Sequence, residues 1–241
     1  MQPLLNNQTE PFTQNLQRCD DIESCNSVHV ITSKEGCLCC SYLRYTVLNS
    51  QTQTPILAIE TESMLKKCCS FCAPYTVHIY SLVGGKRKIG TYTPPACASL
   101  TCRNGLRTTV DGHNAGGIQT VFHKCMCLCC CPNYVYDIVD SNEQRQYVIG
   151  NDGECKCLCL NCSGCLDNCL KCCGEFHYRT QYDIHERDMN NKPTGGFLVD
   201  YMIKSCCCLK KYYYPVFDID FPPNTPRDAK LSMLALCTNF S

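Results

Sequence analysis

The chain has 241 residues, 44% of them hydrophobic and 18% charged, and its 22 basic and 22 acidic side chains cancel to a formal net charge of zero. This length suits one closed all-β domain, the apolar content excludes a disordered chain, and the balanced charge leaves no global field to hold nucleic acid. Cysteine occurs 27 times, a frequency that needs a physical reason.

Residues 1–24 are polar, without a basic segment leading into an apolar one, so they read as a flexible tail and not as a secretory leader. A reducing compartment is therefore expected, because disulfide scaffolds are built in oxidising ones. From residue 25 to 241 the chain reads as one domain of short β-branched and aromatic segments separated by turn clusters. The predicted strands are residues 27–32, 43–49, 55–62, 75–81, 86–93, 105–111, 116–123, 133–140, 145–150, 175–185, 195–204 and 213–221. Alternation is clearest where Phe217, Ile219 and Phe221 interleave with Asp218 and Asp220.

The last element changes period. Thr225 is a candidate N-cap, Pro226 stands at the favoured first position, and residues 229–237 are apolar on nearly every face. A helix of that kind belongs inside something. At about 1.5 Å per residue it is too short for a bilayer core of about 30 Å, and nowhere do eighteen apolar residues run together. The expected fold is all-β with one helix: an up-and-down antiparallel barrel of about twelve strands enclosing the C-terminal helix.

On this strand list the cysteines fall in alternate connections. Cys37, Cys39 and Cys40 follow the first strand, Cys68, Cys69 and Cys72 the third, Cys97 and Cys102 the fifth. Cys125, Cys127, Cys129, Cys130 and Cys131 follow the seventh, a run from Cys155 to Cys173 the ninth, and Cys206, Cys207 and Cys208 the eleventh. The other connections are ordinary polar turns such as Gly84-Gly85. Successive turns of an up-and-down sheet lie at opposite ends, so all six thiol-bearing connections are expected at one pole. Lys66, Lys67, Lys124, Lys204, Lys210 and Lys211 belong to the same pole and give it a basic character within a neutral protein. Thiols open to acylation among lysines suit an anionic leaflet, since each basic residue near it contributes about 1 kcal/mol and each acyl chain about 0.8 kcal/mol per buried methylene. Cys68, Cys69, Cys127, Cys129, Cys130, Cys131, Cys206, Cys207 and Cys208 are the acylation candidates.

A rival chemistry exists in the ninth connection. Cys159, Cys162, Cys165, Cys169 and Cys172 recur at two- and three-residue gaps that can turn several thiolates onto one tetrahedral zinc ion, which would make the chain a cytosolic thiolate metal-binding protein or an adaptor without transport activity. Cys19, Cys25 and Cys237 read as buried or tolerated residues. No nucleophile motif and no Gly-rich phosphate loop occurs, so an enzyme is not expected.

Several stretches together resemble the phospholipid scramblase family, whose members fold as a tubby-like barrel. Tyr45-Thr46-Val47-Leu48-Asn49-Ser50 is similar to that family's second strand and turn, and Lys67-Cys68-Cys69-Ser70-Phe71-Cys72 to the double-cysteine segment after it. The region from Gly117-Ile118-Gln119 to Asn133-Tyr134-Val135-Tyr136-Asp137-Ile138 resembles the central hairpin, and Phe217-Asp218-Ile219-Asp220-Phe221-Pro222 with the helix resembles the C-terminal signature. The resemblance implies a protein on the cytoplasmic face of the plasma membrane, palmitoylated on cysteine-rich loops and linked to calcium-dependent bidirectional movement of phospholipids. Only Cys97 and Cys102 stand where the family carries its acylation run, which moves the lipidated positions to neighbouring loops. Tyr213 and Pro215 replace carboxylates of its calcium segment, leaving Asp218, Asp220 and Asn224 as the calcium candidates.

Overall fold

The structure, a computed structural model, describes residues 21–36, 42–61, 76–93, 105–123, 133–150, 173–206, 209–212 and 214–238. A helical turn, α1 (Asp21–Ser24), precedes β1 (Ser27–Glu35), β2 (Tyr42–Asn49), β3 (Pro55–Thr61), β4 (Val77–Ser81), β5 (Arg87–Thr93) and β6 (Leu106–Val110). Then follow β7 (His113–His123), β8 (Asn133–Val139), β9 (Arg145–Gly150), β10 (Cys173–Glu186), β11 (Gly195–Cys206), β12 (Leu209–Tyr212) and β13 (Val216–Asp220). The chain finishes its described course in α2 (Arg227–Leu234) and a 3-10 helix (Ala235–Thr238).

Consecutive strands from β1 to β11 pair antiparallel, β13 pairs with both β11 and β1, and the ring of twelve strands closes. The expected closed barrel is therefore the observed one. Ring strands turn alternate residues inward, as Val28 and Val30 on β1 or Phe217 and Ile219 on β13, while β3 is buried at every position from Ile56 to Thr61, and all twelve contribute to one core. That core is completed by the helix: Leu231, Met233, Leu234, Ala235, Leu236 and Cys237 are fully buried. Inside the barrel, the Tyr92 hydroxyl donates to the Leu231 carbonyl at 2.6 Å, and Ser232 Oγ lies 3.1 Å from Thr108 Oγ1. These bonds satisfy the polar atoms that the burial of a helix brings with it.

Four details differ from the sequence expectation. Segment 21–24, expected as tail, is helical, and its Ile22 is wholly buried in the core. Lys230, inside the apolar run of α2, is only 4% exposed, and its Nζ donates to the carbonyls of Ile22, Glu23 and Cys25 at 3.3, 2.8 and 2.8 Å. An ammonium can be buried there because three carbonyls at and just beyond the end of α1 meet it. The helix cap is Pro226 in extended conformation, whereas the Thr225 hydroxyl donates to the Pro222 carbonyl at 2.6 Å. Finally, the twelfth predicted strand, 213–221, is the shorter β13, and an unpredicted strand, β12, precedes it along the same edge of β11. Pro215 stands in the gap between them, and a residue without an N–H cannot continue a ladder.

The turns at one pole share a device. Gln53, Asp111, Glu143, Arg187 and Asn224 have positive φ in five of them, and Gly84 and Gly85 supply it in a sixth. Register shifts at Val47/Leu48, Ile79/Tyr80, Thr108/Thr109 and Ile138/Val139 lie beside the same turns. A left-handed residue next to a bulge bends and twists a hairpin as a closed barrel requires.

Candidate functional site: the cysteine-bearing pole

Because every pairing is antiparallel, strand ends sort strictly between two poles. The left-handed turns, α1 and the start of α2 belong to one. The ends Glu35 and Tyr42, Thr61 and Val77, Thr93 and Leu106, His123 and Asn133, Gly150 and Cys173 belong to the other. Those are the ends that flank the cysteine-bearing segments 36–41, 62–76, 94–105, 124–132 and 151–172. Cys68, Cys69, Cys127, Cys129, Cys130, Cys131, Cys207 and Cys208 lie outside the described residues, as do Lys66, Lys67 and Lys124 and all five zinc candidates, Cys159, Cys162, Cys165, Cys169 and Cys172.

What the structure does describe at this pole is a ribbon. Among the described residues β10 pairs with β9 over Asp183 to Glu186, and β11 pairs with β13 over Gly196 to Asp200. The β10–β11 pairing nevertheless continues from Ile184↔Gly195 to Cys173↔Cys206. The segment 201–206 of β11 therefore continues for about 20 Å, at about 3.3 Å per residue, beyond its last pairing with β13. β12 supports its free edge, from Ile203↔Tyr212 to Cys206↔Leu209. Across these three strands the rows read Glu175, Lys204, Lys211, then Gly174, Ser205, Lys210, then Cys173, Cys206, Leu209. Three of the basic candidates and one acylation candidate thus share one hairpin, with Lys204 and Lys211 register partners across β11 and β12.

The wall leading to this pole is polar. Arg44 lies between two carboxylates, 3.2 Å from Glu35 and 3.8 Å from Glu60, and Lys86 holds Glu60 at 2.7 Å. The Tyr42 hydroxyl donates to Glu35 at 3.0 Å, and that carboxylate, with partial burial, raises the phenol's pKa. On the far side, Arg145 Nη2 meets the buried carboxylate of Asp137 at 2.6 Å.

The calcium candidates are elsewhere. Asp218 and Asp220 alternate with core residues on β13 and so face outward, and Asp218 Oδ1 is 2.6 Å from Nδ1 of His29 across the strand pair. Asp220 ends β13 at the pole of the left-handed turns, and Asn224 sits in the turn beyond it with φ +60°. Among the described residues no group of three or more His, Cys, Asp or Glu is arranged to hold a metal ion, and no helix is long and apolar enough to cross a membrane.

Sequence reasoning passed over Lys230 and the opposition of Cys173 to Cys206. The first had a signal, a lone lysine in a helix apolar on every face. Only strand register reveals the second. The fold defines a class, a closed antiparallel barrel around a short helix. Comparison with protein-family models, curated proteins and solved structures returns no match.

Proposed function

We propose that this protein is a phospholipid-scramblase-like module that docks one barrel pole on the anionic inner leaflet of the plasma membrane through acylated cysteines and lysines. The observation that carries the reading is strand parity: every cysteine-bearing segment between strands joins ends of the same pole, where the β10–β12 ribbon also carries Lys204, Lys210 and Lys211. One acyl chain gives only marginal membrane binding, so several acylation positions beside a basic ribbon make a sufficient pair of signals. The described strands turn apolar residues inward and polar ones outward, opposite to the pattern of a barrel that spans lipid. Docking at the surface fits that pattern.

In this reading the protein has no catalytic residue. The filled core offers lipid headgroups no path through the barrel, so movement of phospholipid would follow from disturbance of the leaflet under the docked pole. Asp218, Asp220 and Asn224, at or toward the opposite end, are the residues that would hold calcium.

Two measurements test this. Intact-mass analysis of protein from a eukaryotic host is expected to show hydroxylamine-sensitive acyl additions; stoichiometric zinc with no acyl mass would move the assignment to a thiolate metal-binding protein. Acylated protein in liposomes containing phosphatidylserine is expected to exchange labelled lipid between leaflets, faster with calcium. Binding without exchange would reduce the role to that of an adaptor.

A further inference from the structure

Outside the ring, the wall carries a second, smaller buried group. Tyr136, Ile149 and Ile184 enter the core, so their neighbours Val135, Val148, Gly150 and His185 face outward. Val135, Val148 and His185 are nevertheless only 4%, 2% and 0% exposed. The connection 187–194, between β10 and β11, folds back over them. Its ends are held by Arg187 N–H on the Gln146 carbonyl at 3.0 Å and Thr194 N–H on the Ile184 carbonyl at 2.9 Å, and in its middle the Asn191 carbonyl accepts from Nδ1 of His185 at 2.6 Å. A Cβ built on Gly150 would stand 3.3 and 3.4 Å from Cε and Sδ of Met189 and 3.1 Å from Cγ2 of Val135, so the thioether of this connection occupies the space over the glycine.

Two opposed effects meet in this strap. The imidazole nitrogen that faces a carbonyl carries the proton, so Nε2 of His185 is a bare acceptor, and it is buried with no hydrogen-bond partner among the described residues. Lifting the strap would hydrate that nitrogen, and the packing of Met189 opposes the lift. Of the six methionines in the chain, Met189 and Met233 have described side chains. Met233 is sealed in the core, whereas Met189 is half-buried on a surface connection, within reach of an oxidant in solution.

We infer that Met189 is an oxidation-sensitive latch that holds the strap 187–194 closed. Hydrogen peroxide transfers one oxygen atom to the thioether: the O–O bond breaks, an S–O bond forms, the sulfur gives up two electrons, and the second oxygen leaves as water with both protons. The sulfoxide is polar and leaves its apolar seat beside Val135 for water. The strap lifts, and His185, Val148 and Val135 come to the surface. Reduction of the sulfoxide restores the thioether and the closed form.

The test uses the full chain. After a low, graded dose of hydrogen peroxide, catalase ends the reaction, dithiothreitol reverses thiol oxidation, and peptide fragmentation locates each sulfoxide. Met189 is expected to react about tenfold faster than Met233 or more. Amide exchange over residues 187–194 is then expected to quicken by about tenfold or more, and to return to its starting rate after treatment with methionine sulfoxide reductases A and B. Met189→Leu, which keeps the bulk without the sulfur, should show no response of that segment to peroxide. Met189 reacting no faster than Met233, unchanged exchange once Met189 is a sulfoxide, or an equal peroxide response in Met189→Leu overturns the inference. Should Met189→Leu fail to fold, the parent chain decides: exchange over 187–194 that stays fast after the sulfoxide has been removed refutes the latch.

Discussion

Changing Lys230 to Met keeps most of the side chain's length and removes its charge, which isolates the contact between the first and last helices. The ammonium donates to three carbonyls, of Ile22, Glu23 and Cys25. A hydrogen bond involving a charged group contributes about 1.5–3 kcal/mol net. Three bonds cannot be summed at that rate, because burial disfavours the charged amine and lowers the Lys230 pKa. A loss of about 2–4 kcal/mol in urea unfolding is therefore expected for Lys230→Met. Ile22→Ala, which empties a fully buried position on the same helical turn, should cost a similar amount. If α1 docks as a unit, either change releases it, and the double variant should lose less than the sum of the two by about 1 kcal/mol or more. Additive losses, or a Lys230→Met protein within about 0.5 kcal/mol of the parent with α1 amides still protected from exchange, would refute the idea that α1 is clamped by Lys230.

Cys237 and Tyr92 are enclosed by the core, and burial raises the pKa of each thiol or phenol well above its ordinary value. The unfolded chain therefore binds fewer protons than the folded one above about pH 9 for Cys237 and about pH 10 for Tyr92. Stability should then fall with rising pH by about 1.4 kcal/mol per unit for each group; Cys237→Ala should lack the earlier component in denaturation series from pH 8 to 10. Gly116 has φ +99°, and a Cβ there would collide with the Val139 carbonyl. Gly116→Ala should thus destabilise by about 2 kcal/mol or more in thermal melts, whereas Gly112→Ala, with a positive φ but open space, should cost less. Arg145→Met removes the 2.6 Å partner of the buried Asp137 carboxylate, so a loss of about 3 kcal/mol is expected in urea unfolding at neutral pH.

The barrel was legible because its cues are local. Period-two alternation at Phe217, Ile219 and Phe221 set inside from outside, and polar turns alternating with cysteine segments set which strand ends belong together. The break at Pro215 was also written in the chain, though aromatic neighbours on both sides masked it. Pairings across long separations were not legible. The pairing of Asp218 with His29, 189 residues away and 2.6 Å distant, exists only once the ring has closed. Lys230 contradicted its own helix until α1 supplied the carbonyls. The lysines of the basic pole could be assigned an end from turn parity, but the opposition of Lys204 to Lys211 and of Cys173 to Cys206 depends on a register that a one-residue slip would abolish.

The seam of the ring joins β1 to β13, so the strand made first among the twelve waits for the one made last. A nascent chain leaving the ribosome carries β1 with an open edge through the synthesis of eleven further strands, and the interior stays unfilled until α2 has emerged. Closure is then a late, cooperative event with long-range contacts, slow on the scale of small domains and exposed to edge-to-edge association while it is pending. Cellular yield of this protein should accordingly depend on chaperones that shield strand edges during translation.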